Sequence, residues 1–345
     1  MKEHPPIDAA RLGEWLDGTL GPGPALMVEA LEGGASNLVY RVLRGESDWV
    51  LRRPPAVLSH ATAHDVLREY RFLRALRDEP VRVPRAVAAC EDTSVLGAPF
   101  YLMERVDGVP IRYHLPAAYV AAPECHGRVG EELVDALAEI HAVDWRAVGL
   151  ADVGKPEGFL ERQASRWMRQ WEGYKVRDLP RAEEVARWLE ENLPLAQVPG
   201  IVHGDYKTDN VLYATVAPVR ILAVVDWEMA TIGDPLLDLA WALLFWPELG
   251  EGNVTTLGGA GNPDGLHLES LPTRADLAAR YAAGTGRDVS HLAYYTALAA
   301  WKLALVLEGN WSRYVRGLSK NPMHPAFEFL VPELLERAWR ATRES

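Results

Sequence analysis

Nine residues, Val202 to Asn210 (VHGDYKTDN), place a histidine, two aspartates, a lysine and an asparagine in one polar stretch that runs on into Val211-Leu212-Tyr213. Asp205 and Asn210 stand five positions apart on what reads as a loop, close enough to turn toward a common centre. Further on, the mostly apolar run from Val219 to Val225 ends in Asp226-Trp227-Glu228, which brings a second carboxylate out of a buried strand. Amide and carboxylate oxygens are the hard ligands that Mg2+ takes, one or two from protein and the rest from water and phosphate. Phosphoryl transfer needs such a cation, a carboxylate to orient the attacking hydroxyl, and positive charge to offset what develops. On that chemistry Asp205 reads as the catalytic base, Asn210 and Asp226 as metal ligands, and Lys207 as the cation facing the transferred group. His203 reads as a residue that fixes the loop, and Asp209 as a solvent-facing turn residue.

The elements that must position these residues follow from periodicity. Ile7 to Leu20 reads as an amphipathic helix stopped by the Gly-Pro-rich stretch Leu20 to Pro24. Val39 to Leu43 and Trp49 to Leu51 are β-prone runs around a turn-like spacer, which predicts a hairpin. Val66, Tyr70, Leu73 and Leu76 make a helical stripe between His64 and Arg77, and strands are expected at Val83 to Ala89 and Pro99 to Met103. Glu104 to Gly108 reads as a linker, so the expected division is an N-terminal lobe of 1–104 and a C-terminal lobe of 105–345. Beyond it Leu133, Leu137 and Ile140 set a helix over Gly130 to His141, and Trp167 and Trp171 mark another. Leu236 to Phe245 is a helix buried on all sides by its composition. Glu248 to Leu271 reads as a long loop, and the remainder from Ala275 to Arg340 as helical. Asp234 before Pro235 reads as a helix cap, and Asp238 as a brace for the VHGDYKTDN loop.

Composition bounds the partners. With 345 residues, 48% hydrophobic and 24% charged, the chain has the balance of a globular protein with a sizeable core. A net charge of −12 argues against a general nucleic-acid or anionic-membrane surface. Cys90 and Cys125 fit no metal-binding spacing and read as structural thiols of a reducing cytoplasm. No signal-peptide core and no membrane-length apolar run is found, so the expected location is cytoplasmic.

HGDYKTDN, VVDWE and GDPLLDLA (Gly233 to Ala240), in this order and spacing, resemble the catalytic core of the aminoglycoside phosphotransferase and choline kinase-like superfamily. Adding GGASNLVYRV, WVLRRPP and the late AAGTGR, the chain is most similar to the phosphotransferases fused or adjacent to acyl-CoA dehydrogenases. The resemblance runs from about Val28 to the C-terminal helices. It implies an α+β, bilobal, protein-kinase-like fold with a small antiparallel-sheet lobe and a larger, mainly helical lobe. It implies ATP and Mg2+ as cofactors, and an ATP-dependent transfer of the γ-phosphate to a hydroxyl of a small molecule, a hydroxyacyl group or another metabolite.

Carried over by position, the resemblance makes Leu31 to Asn37, with Gly33, Gly34, Ser36 and Asn37, the phosphate-covering turn. Arg52 takes the place of the phosphate-gripping lysine, and Glu69 that of its acidic partner. Backbone groups of Glu104 and Val106 would read the adenine edge. Two other readings stay open: an aminoglycoside antibiotic kinase, and a catalytically silent nucleotide-binding regulatory module. Oligomeric state is open between monomer and homodimer.

Overall fold

The structure, a computed structural model, describes residues 6–31, 37–55, 66–112, 114–195, 197–248 and 268–344. The described residues divide into two compact units. The first holds residues 1–108 together with 222–230, and the second holds 109–221 and 231–345.

In the first unit, helix α1 (Ala9–Leu20) starts where the Asp8 carboxylate accepts the N–H groups of Ala10 and Arg11, satisfying donors that a helix start otherwise leaves open. Strands β1 (Met27–Leu31), β2 (Leu38–Arg44) and β3 (Ser47–Arg53) follow, then α2 (Val66–Leu76), β4 (Ala86–Cys90), the short α3 (Thr93–Leu96) and β5 (Phe100–Glu104). The five strands form one antiparallel sheet in the order β1-β2-β3-β5-β4. The predicted hairpin is β2 and β3. Arg44 pairs with Ser47, so the turn is only Gly45-Glu46, with Gly45 at φ 61° where a side chain would be strained. Strand β2 alternates as a half-buried strand must: Leu38, Tyr40 and Val42 point into a core completed by Leu12 and Leu16 of α1 and by Leu51, Phe100 and Leu102. Residues 222–230 add one turn of 3-10 helix, Trp227–Met229, packed on α2.

The second unit is mainly helical. It contains α4 (Ala117–Val120), α5 (His126–Ala142), α6 (Glu161–Glu172), α7 (Pro180–Glu191), short strands β6 (Gly200–Val202) and β7 (Val211–Tyr213), and the start of β8 (Ile221–Val224), where the chain passes into the first unit. It resumes with β9 (Thr231–Gly233), α8 (Leu236–Phe245), α9 (Arg274–Thr285), α10 (Leu292–Val315) and α11 (Phe327–Ala341). All of α8 except Phe245 is buried, which is what its composition predicts. Helix α10 packs on α6, α7, α8 and α11, and α5 packs on α9. Strands β6 and β9 pair antiparallel with Ile201 opposite Ile232. That pairing sets the loop leaving β6 beside the helix that begins after β9. Trp167 and Trp171 of α6 are both buried, as their spacing suggested. Cys90 is buried and Cys125 half-buried, both as free thiols. No helix among the described residues is long and apolar enough to cross a membrane.

Candidate active site

In the second unit the functional loop begins at His203, directly after β6, and its backbone is tied to α8. The fully buried Asp238 accepts the His203 N–H at 2.5 Å on Oδ2 and the Gly204 N–H at 2.8 Å on Oδ1. Gly204 takes φ 88°, a conformation that costs a glycine little. His141 of α5 reaches the same Asp238 Oδ2 through Nε2 at 3.4 Å, and its Nδ1 lies 2.6 Å from the Tyr281 hydroxyl. Burial lowers the His141 pKa below the ordinary imidazole value, against the opposing pull of Asp238. A neutral ring that donates from Nε2 to Asp238 and accepts from Tyr281 at Nδ1 satisfies every contact. The reading of Asp238 as a brace therefore has its bonds. Asp234 stands one residue before the α8 N-cap, which is Pro235 and not Asp234 as expected; it accepts the Leu236 N–H at 3.1 Å and the Tyr295 hydroxyl at 2.7 Å, tying the start of α8 to α10.

The loop presents Asp205 with both oxygens engaged. Trp241 of α8 donates its indole N–H to Oδ1 at 2.9 Å, and Asn210 donates its amide to Oδ2 at 2.8 Å. The Lys207 ammonium also rests on Oδ2. Asn210 gives its other amide proton to the Asp205 main-chain oxygen at 2.8 Å, which fixes the amide and leaves Oδ1 of Asn210 without a hydrogen bond among the described residues. Burial pushes the Asp205 carboxyl up, but Lys207, His203 and Trp241 outweigh it and hold the group below its usual value. Asp205, Lys207 and Asn210 are thus brought together as their spacing predicts. Asp209 faces solvent in part: its side chain is 38% exposed, and Arg112 Nε lies 3.8 Å from its carboxylate. Burial raises its pKa. Trp241 is the participant that sequence reasoning missed, because an indole in an apolar helix reads as core.

The first unit gathers a second charged cluster. Arg52 of β3 donates from Nη2 to Asp226 Oδ1 at 2.8 Å. Its Nε lies 3.2 Å from Glu69 Oε2 of α2, a charge pair without hydrogen-bond alignment. Glu69 Oε1 accepts the Trp227 N–H at 3.1 Å. Burial, helped by Asp226 and opposed by Arg52, pushes the Glu69 carboxyl up to about 7. Burial acts against the Arg52 charge, yet Glu69, Tyr101 and Asp226 together raise the pKa of its guanidinium. Tyr101 of β5 was not foreseen as a member of this cluster.

Asp226 itself has φ 69° and ψ 57°, the one non-glycine positive φ among the described residues. A left-handed Asp costs roughly 1 kcal/mol and persists where the surroundings impose it. Here the next residue supplies the constraint: Trp227 is buried, donates its indole N–H to Val224 O at 3.0 Å, and stacks on Phe72 of α2 with centroids 6.0 Å apart. The turn aims one Asp226 oxygen at Arg52 and leaves Oδ2 without a hydrogen bond among the described residues. Asn37 is almost fully buried and donates to Glu228 Oε2 at 3.3 Å, while its own Oδ1 has no partner among the described residues. Gly33, Gly34 and Ser36 lie outside the described residues, as does most of the Glu248 to Leu271 stretch. The Glu104 N–H is taken by Arg85 O at 2.9 Å, and Val106 O accepts from Gly108 at 3.0 Å.

Comparison with known proteins decides the family. A model described as the phosphotransferase enzyme family matches residues 28–295. The chain belongs to that family. Acyl-CoA dehydrogenase family member 11 of Gallus gallus is 32% identical over 324 residues, covering 92% of this chain and 40% of the chicken protein. The chain therefore spans well under half the length of that relative. A putative aminoglycoside phosphotransferase from Ralstonia eutropha JMP134 is 29% identical, with a TM-score of 0.83 over 98% of this chain and 99% of that one. The aminoglycoside phosphotransferase APH(4)-Ia, solved as a ternary complex with AMP-PNP and hygromycin B, is 18% identical with a TM-score of 0.58, covering 96% and 98% of the two chains. That distant likeness speaks to the fold. The family and its α+β, kinase-like fold are those the motifs implied.

Proposed function

We propose that this phosphotransferase-family chain moves the γ-phosphate of ATP to a hydroxyl of a small molecule. The observation that carries the reading is the Asp205 carboxylate, held ionised by Trp241, Asn210 and Lys207 on a loop whose backbone Asp238 fixes. A carboxylate so oriented accepts a hydrogen bond from an incoming hydroxyl and takes its proton as the oxygen attacks phosphorus. Lys207 then faces the phosphoryl group in flight. Arg52, steadied by Glu69, grips the non-transferred phosphates; Gly33, Gly34, Ser36 and Asn37 take the phosphate-covering role, and backbone groups of Glu104 and Val106 read the adenine edge.

For the Mg2+ that this reading calls for, each unit offers one hard oxygen of its own without a hydrogen bond among the described residues, Asn210 Oδ1 in the second and Asp226 Oδ2 in the first. An ion held by these ligands would neutralise phosphate charge. The kinship with an acyl-CoA dehydrogenase family member supports a hydroxyacyl compound as acceptor. The test is release of ADP from Mg-ATP over a pooled panel of hydroxylated metabolites and hydroxyacyl thioesters. Acceptor-dependent release by the wild type, absent in D205N and D226A, is the expected result. Tight nucleotide binding with no release above D226A across the panel would instead favour a silent nucleotide-binding module.

A further inference from the structure

Lys302 stands in the middle of α10 within the otherwise apolar run Leu298 to Leu305, and only 8% of it is exposed. Its ammonium lies 4.8 Å from the Trp241 ring centroid and 5.6 Å from that of Trp167. Aromatic faces attract a cation, but they accept none of the three hydrogen bonds that an ammonium offers. Neither nearby acid supplies one: among the described residues no hydrogen bond joins Lys302 to Asp238, which holds His203 N–H, Gly204 N–H and His141, or to Asp205, which holds Trp241, Asn210 and Lys207. Both carboxylates hold the Lys302 charge in place electrostatically, while burial and the exposed Arg166 work against it, and the net effect lowers its pKa. Lys302 Nζ is not among the fully enclosed polar atoms left without a partner, so the ammonium keeps a small opening through which water or a ligand completes its donors. One side chain links it to the chemistry: the Trp241 indole that Lys302 covers is the indole whose N–H grips Asp205.

We propose that Lys302 determines acceptor specificity. Its ammonium takes an anionic oxygen, carboxylate or phosphate, of the molecule whose hydroxyl Asp205 orients. The inference rests on the phosphotransfer reading and narrows it: acceptors are anionic hydroxylated compounds, and polycations are excluded by like charge beside the catalytic carboxylate.

The test uses the full chain as wild type, D205N, K302M and K302R, each checked by thermal melting. Methionine keeps the length and apolar stem of the lysine, and arginine keeps the charge. Wild type is assayed for ADP release with anionic, neutral and cationic hydroxylated acceptors. The expected acceptors carry a carboxylate or phosphate. K302M raises their KM about tenfold or more, leaves kcat within about threefold and leaves the KM for ATP unchanged, while K302R restores part of the loss. Turnover of neutral or polycationic acceptors with KM unmoved in K302M overturns the proposal. So does a fall in kcat alone, which would make Lys302 only a support for Trp241. If wild type turns over nothing, the phosphotransfer reading itself has failed, and calorimetry with gluconate, sorbitol 6-phosphate, sorbitol and glucamine decides for Lys302. Binding of an anionic member by wild type and its loss in K302M upholds the anion site, and the two anionic probes separate carboxylate from phosphate. No difference between wild type and K302M removes the site.

Discussion

Asp205 and Glu69 are both acids set against a cation, one in each unit, and their surroundings drive them in opposite directions. The Asp205 side chain keeps 30% of its exposure and receives Trp241, Asn210 and Lys207 on its two oxygens. Glu69 keeps 1%, receives one backbone N–H on Oε1, and meets Arg52 at Oε2 without hydrogen-bond alignment. A nearby positive charge is common to both, so charge alone does not decide the outcome. Donor number and residual hydration do: Asp205 is stabilised as the anion, whereas Glu69 carries a burial penalty that its partners only partly offset. The first arrangement suits a group that must be a base on arrival of substrate. The second suits a strut that holds a cation in place.

The largest expected effect tests the base. D205N keeps the shape and one acceptor oxygen, so only one of the bonds from Asn210 and Trp241 survives, and it removes the proton acceptor; kcat should fall about 1,000-fold with ATP affinity within about threefold. Coupled ADP release and calorimetric ATP binding measure the two. A variant with normal turnover would remove the distinction between the acids altogether.

Next comes the strut. The Glu69 pKa in the fold is about 7 against an ordinary 4.5. The folded state therefore holds the proton over a pH range where the unfolded chain has released it. Stability is fully present below about 4.5 and lost as pH rises toward about 7, a difference of about 3 kcal/mol. E69Q does not titrate, so melting temperature against pH for E69Q should lack the decline that the wild type shows across that window. Parallel curves for the two proteins would mean that burial does not govern Glu69.

D238N sharpens the account of the loop. It replaces one acceptor oxygen with an amide, leaving the N–H of His203 or Gly204 buried and unpaired at a cost of about 2 kcal/mol. A fall in melting temperature together with slower turnover is expected. Unchanged turnover would detach the loop's support from its chemistry. The smallest effect is W241F, which removes a single donor from Asp205. About a tenfold drop in kcat is expected, with the acidic limb of the pH-rate profile moved upward because the anion loses a partner. An acidic limb that stays put would show that Lys207 and Asn210 alone hold Asp205 down.

Much of this was legible in the residues, for reasons that differ between elements. Helix α8 was visible because nearly every position is apolar, and the β2–β3 hairpin because two β-prone runs flank a turn-like spacer that contains a glycine. The grouping of Asp205, Lys207 and Asn210 was legible because all three sit on one short loop, where separation in sequence limits separation in space. Helix α7 went unread although Ala182, Val185, Ala186 and Leu189 form its buried stripe behind Pro180. Strands β6 and β9, three residues each, are too short to show a period, and only their pairing defines them. The ion pair of Asp209 was hidden because its partner Arg112 is remote in sequence. Trp241 looked like core. Lys302 was the clearer missed signal, since a lone charge in the run from Leu298 to Leu305 has to be accounted for.

The left-handed backbone at Asp226 has a consequence for descent as well as for chemistry. Asparagine and glycine tolerate that conformation best among the alternatives, and each is reached from aspartate by a single nucleotide change. Either would leave Trp227 anchored on α2 and Arg52 beside Glu69, so the turn would survive while the carboxylate vanished. The substitutions that selection for folding permits most readily at this position are the ones that remove the carboxylate proposed to hold Mg2+. Glycine would also strip the buried Arg52 of its 2.8 Å partner, whereas asparagine keeps an acceptor there. Asparagine at position 226 is therefore the exchange by which a lineage of this fold would lose the proposed ligand charge at least cost to its stability.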